Sequence, residues 1–175
     1  MRHPDRLIPV AKLPEGLGLC AQNIRDFIVD AATLLSKGHG WHAIALAIFA
    51  FEELGKYAEL RRIKESSKNA HDVRVKDALF RSHDYKQELA RQVVPSDSII
   101  LLPKYFGDKY FDSEFFGTEN VTITPNLRAE CAFVDWVDGD WLDRDWRIGT
   151  PHDTEQLKKF LDAVLDALNK LETKT

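Results

Sequence analysis

Nine apolar residues follow His42 without a break, and the run stops at Glu52, Glu53 and Lys56, within the stretch WHAIALAIFAFEELGK from Trp41 to Lys56. A helix that is apolar on nearly every side belongs in the middle of an assembly of helices. Carboxylates at the end of such a run are costly to bury unless they are paired or hydrogen-bonded. The rest of the chain must therefore supply helices to enclose this one and polar partners for its glutamates.

Length and charge set the frame. At 175 residues the chain reads as one domain, residues 1–175. That is enough to bury roughly 70% of the unfolded surface without disulfides or metal. A net charge of −4 and a pI of about 5.9 speak against a broad grip on a nucleic-acid backbone. No DNA partner is expected, while a local basic groove stays open. Cys20 and Cys131 have no CxxC companion and read as reduced, buried residues of a cytoplasmic protein. No apolar stretch reaches the roughly 18 residues of a membrane span. The N-terminal stretch MRHPDRLIPVAKLPEG has no signal-peptide core, so no membrane association is expected.

Residues 1–15 carry three prolines and read as an irregular arm. Ile24, Phe27, Ile28, Ala31, Leu34 and Leu35 repeat at three and four, which predicts a helix over residues 16–37. Gly38 and Gly40 mark a turn. The second helix is predicted over 41–63 and a third over 70–93, where Val75, Leu79, Tyr85 and Leu89 supply the apolar side. Residues 95–152 are rich in Gly, Pro, Asp and aromatics, and read as loops with short strands at 121–123 and 132–137. A final helix opens at Asp153 or Thr154 and carries a stripe of Leu157, Phe160, Leu161, Val164, Leu165 and Leu168. The expected fold is all-α: an antiparallel bundle of about four long helices, with an irregular aromatic-rich insertion (95–152) before the last. The second helix carries more apolar surface than one chain's helices readily cover, so a two-fold homodimer is expected.

Two constellations could carry chemistry. Glu52 and Lys56 are four apart, in the favourable order for a helix ion pair, while Glu53 points elsewhere. They are either a satisfied structural pair or part of a pocket. His83 and Lys86, three apart on the third helix, share a face near Arg81. A histidine exchanges protons near neutral pH and a nearby cation can hold a phosphate. That is a minimal kit for metal-independent RNA cleavage. It is equally a solvated basic face with an incidental histidine. No metal or other cofactor is expected. The glutamates lack the Glu-x-x-His pattern of di-iron bundles, and DWVDGDWLDRDW does not match a calcium loop. His39 and His42 flank a turn and read as incidental.

The run from Ala31 to Arg62 resembles the signature of the AbiV abortive-infection family, with Gly38, His39, Ala43, Glu52, Glu53, Leu54, Gly55 and Lys56 in the matching places. A Phe-x-x-His-x-x-Lys element follows in Phe80, His83 and Lys86, and CAFVDWVDGDWLDRDW through Pro151 resembles the family's later aromatic stretch. The AbiV family is grouped with the HEPN superfamily. The resemblance implies a dimeric helical bundle and a role in bacterial defence against phage, by blocking translation or cutting RNA. Active HEPN ribonucleases carry an Arg followed by four to six residues and a His. Here Arg81 is too close to His83 and Arg74 too far, and the residue at the right spacing is Lys76.

Two functional classes follow. The first is an endoribonuclease acting at a dimer groove, with His83 moving the proton, Lys86 anchoring the phosphate, and Glu52 or Glu53 orienting them. The second is a non-catalytic bundle that binds RNA or a phage or translation protein.

Overall fold

The computed structural model describes residues 4–67, 69–99, 136–137, 140–141 and 151–173. In chain order its elements are strand β1 (Arg6–Pro9), a 3-10 turn (Val10–Lys12), α1 (Leu13–Ser36), α2 (Gly40–Ser66), β2 (Asp72–Val75), α3 (Ala78–Arg81), α4 (His83–Arg91), α5 (Ser96–Ile99), β3 (Trp136–Val137), β4 (Asp140–Trp141) and α6 (Pro151–Thr173). The protein is an all-α bundle with two small antiparallel ribbons, β1–β2 and β3–β4.

The α1–α2 turn follows from its glycine. Gly38 sits at φ 82°, a left-handed conformation that costs a residue without Cβ little. It lets the Gly38 and His39 amides donate back to the Leu35 and Leu34 carbonyls at 3.1 and 2.9 Å. That pair of bonds is the Schellman ending of a helix. It folds α2 back along α1, and the two pack over most of their length.

The apolar run of α2 is enclosed as expected: Ala43, Ile44, Ala47, Ile48, Phe51 and Leu54 are all buried. Helix α1 covers it with Leu17, Ala21, Ile24 and Ala31, and α6 with Leu157, Phe160, Val164 and Leu168. The Phe51 and Phe160 rings meet at a tilt of 51°, with centroids 5.6 Å apart. Because this chain's own helices cover α2, surplus apolar surface on that helix is no longer a reason for a dimer. Among the described residues no helix is long and apolar enough to cross a membrane.

The third helix differs most from expectation. Residues 72–75 form a strand instead, because Val73 and Val75 turn inward while Arg74 stays out, a period of two. The strand pairs with β1 from Arg6↔Val75 to Pro9↔Asp72, so the N-terminal arm is a ribbon edge ahead of α1. Helical structure resumes at α3 and breaks at Ser82, which is extended (φ −89°, ψ 118°) and accepts the Tyr85 amide as the cap of α4. Helix α6 begins at Pro151, a favoured first position, ahead of Asp153. Of the expected insertion, α5 and the β3–β4 pair are described; of the strand expected over 132–137 only Trp136 and Val137 are, and residues 132–135 and 121–123 lie outside the described residues.

Helix α4 lies against α2 at unusually short range. A Cβ built on Gly55 would stand 1.9 Å from the Lys86 carbonyl oxygen and 3.0 Å from the Ala90 amide nitrogen. Both are backbone atoms that no rotamer change can move. Gly55→Ala should therefore push α4 off α2 and cost about 1–3 kcal/mol or more, the range for overpacking. Urea denaturation measures it, and an unchanged midpoint would show that α4 does not press on α2 there.

Candidate active site

Helix α2 delivers Glu52 to the α4 interface, where its side chain is 2% exposed. Helix α4 answers with three residues on one face. His83 Nδ1 donates to Glu52 Oε2 at 2.6 Å. The Lys86 ammonium lies 3.2 Å from the same oxygen. Gln87 Nε2 donates to Oε1 at 3.0 Å. Positions 83, 86 and 87 share a helix face by the three-and-four rule, so one α-helix aims all three at one carboxylate.

Each donor has a different consequence. Gln87 is fully buried, and its bond holds the carboxylate plane. Lys86 supplies the positive charge that makes a buried carboxylate tolerable. The Lys86 side chain is 8% exposed and turned toward Glu52, so the expectation that it anchors a phosphate meets a buried ammonium already in use. His83 is 31% exposed and is the member of the group that reaches solvent. In a neutral imidazole one ring nitrogen carries the proton and the other accepts. Donation from Nδ1 to Glu52 makes Nε2 the accepting nitrogen.

The neighbouring motif residues have separate jobs. Lys56 pairs with Glu53 rather than with Glu52. The pair lies near Cys20 on α1, where burial, and then the negative charge of Glu53, push the thiol up to about 12. Cys20 is a free, buried thiol that is protonated at any physiological pH. Of the four residues expected in the site, Glu52, His83 and Lys86 come together and Glu53 does not. Gln87 was missed, although its four-residue spacing from His83 placed it on the right face. His39 and His42 meet edge to face with centroids 6.3 Å apart, at the start of α2. A cleft of about 420 Å³ lies further along α2, lined by Glu59, Arg62, Glu65, Leu89, Gln92 and Leu171, and includes none of the Glu52 group.

The start of α4 is held from outside. Asp77 is buried and accepts Arg6 Nε at 3.1 Å, and Arg81 Nε lies 3.1 Å from its second oxygen. The Arg6 guanidinium also stacks 4.3 Å above the Phe80 ring. The arm thereby fixes α3, and α3 fixes the position of Ser82 and His83.

With this geometry in view the motifs have a physical basis: Glu52 of EELGK is the α2 side of the site, and His83 and Lys86 of the Phe-x-x-His-x-x-Lys element are on the α4 side. The sequence model of the HEPN family described as AbiV matches residues 12–153, and the chain belongs to that family. No curated protein and no solved structure gives a significant match.

The two glutamates should differ in their effect on stability. Glu52→Ala leaves Lys86 buried without its counter-charge and should cost about 3–5 kcal/mol. Glu53→Ala should cost less than half as much, since Lys56 has a path to water. Denaturant titration of both variants checks this, and equal losses would mean that Lys86 finds another partner.

Proposed function

We propose that this AbiV-family protein acts in defence against phage as a metal-independent endoribonuclease, working as a two-fold homodimer, with His83 as its proton-transfer residue. The observation that carries the reading is the Glu52–His83 bond: a buried, charge-balanced carboxylate fixing the tautomer of a histidine that reaches solvent. This is the arrangement in which a carboxylate orients an imidazole for general base work, a role worth about 10²–10⁴-fold in rate.

In this reading Nε2 of His83 removes the proton from a ribose 2′-hydroxyl. The 2′-oxygen attacks the adjacent phosphorus, the bond from phosphorus to the 5′-oxygen breaks, and the 5′-oxygen leaves with a proton drawn from water. The product is a 2′,3′-cyclic phosphate. Glu52 stabilises the imidazolium formed on the way, and Lys86 and Gln87 hold Glu52 in place. Lys76 and Arg81, the two candidates for the usual HEPN arginine, flank the site from the segment before α4; Arg81 contacts Asp77 and Lys76 lies 5.4 Å from the Tyr85 ring centroid.

Purified protein on a mixed RNA pool should cut in the presence of chelator. His83→Ala should lower the rate at least tenfold, and Glu52→Gln, which also strips Lys86 of its counter-charge, should lower it by more than its loss of folded protein accounts for. A rate unchanged in His83→Ala, or abolished by chelator, would reject the assignment. No cleavage by the parent protein would favour instead the non-catalytic reading, binding of RNA or of a phage or translation protein.

A further inference from the structure

One cation on α4 takes no part in the Glu52 group. The Nε and Nη2 atoms of Arg91 are buried and have no hydrogen-bond partner among the described residues. One turn earlier on the same side of α4, the fully buried Gln87 spends its amide nitrogen on Glu52, and its amide oxygen has no partner there either. Buried polar atoms without partners are rare in folded proteins and each calls for a reason.

Side chains on a helix lean toward its N-terminus, so the Arg91 guanidinium reaches back toward the His83 end of α4. The charges of Glu88 and Asp84 are felt there, and Asp84 adjoins His83 in the chain. Both acids act through space without bonding to the guanidinium, and both lie on the exposed flank. Burial disfavours the charge of Arg91, which a bound anion would offset. Arg91 as a whole is only partly buried, and neither Nε nor Nη2 has a hydrogen bond among the described residues to give up.

We propose that Arg91, which is partly exposed, forms a phosphate-ester site on α4 that anchors the RNA backbone on the His83 side of the helix. A guanidinium fork matches phosphate oxygens in pairs. The site adds a phosphate anchor to the one expected of Lys86, whose ammonium faces Glu52. The RNA part rests on the ribonuclease reading above; the phosphate site itself does not.

The test measures binding without cleavage, in full-length His83→Asn, whose amide can keep the bond to Glu52. The probes are a short RNA, a DNA of the same sequence, and inorganic phosphate followed by ³¹P line width. Arg91→Gln should weaken RNA binding about tenfold, as loss of a charge-assisted contact does. It should also lower the salt slope by about 0.7, one phosphate on a single strand. Arg91→Lys should restore the slope without the full affinity. Arg62→Gln, an exposed cation elsewhere on α2, should change neither. The DNA should lose affinity in Arg91→Gln by the same factor, because the contact is to a phosphate. Equal RNA affinity in parent and Arg91→Gln overturns the site and leaves the ribonuclease reading standing. Arg91-dependent phosphate binding without RNA binding supports the site and counts against the RNA reading. Binding of neither probe overturns both.

Discussion

The buried carboxylate of Glu52 is the joint between α2 and α4, and the site exists only while that joint holds. A carboxylate removed from water costs several kcal/mol unless its charge is balanced and its lone pairs are used. Lys86 balances the charge, and His83 and Gln87 use the lone pairs. The three donors occupy one face of α4, so rotation of the helix by one residue, about 100°, would break all three contacts together. The polar group therefore sets the register of α4, which apolar packing alone would leave looser.

Three features outside the group protect this register. Gly55 removes the side chain that would hold the two backbones apart. Ser82 interrupts the chain and caps α4, so that His83 begins the helix. The N-terminal arm reaches across through β1–β2 and Arg6 to Asp77, tying down α3 just before that break. A site on a nine-residue helix would be poorly fixed by local propensity, since helices so short are marginal alone. Here tertiary contacts do the fixing, and some of them come from residues more than 70 positions away.

How much was legible in the sequence differs by element. The unbroken apolar run of α2, the stripe of α6 and the glycine turn after α1 follow from periodicity and backbone freedom, and the structure has all three. The demand that Glu52 or Glu53 find partners was legible too, because burial of their helix made an unpaired carboxylate untenable, though not which of the two it would be. The choice of Lys56 partner was not: at three and four residues both glutamates are in reach, and only the position of α4 draws Glu52 away. The β2 strand was hidden because Asp72–Val75 is too short to outweigh the helical pattern after it, and its partner strand lies in a proline-bearing arm. Gln87 carried no charge to flag it, and its role shows only when α2 and α4 are side by side.

For an AbiV-family protein this architecture puts one titratable ring at the edge of a buried, charge-balanced network. Everything proposed for its chemistry depends on how that ring is held. Long-range ¹H–¹⁵N NMR of the neutral His83 imidazole reads this directly. The account predicts a proton on Nδ1, bonded to Glu52, with Nε2 showing the shift of an unprotonated acceptor, and loss of that preference in Glu52→Gln. A proton resident on Nε2, or a ring averaging equally between the two tautomers in the parent protein, would contradict it.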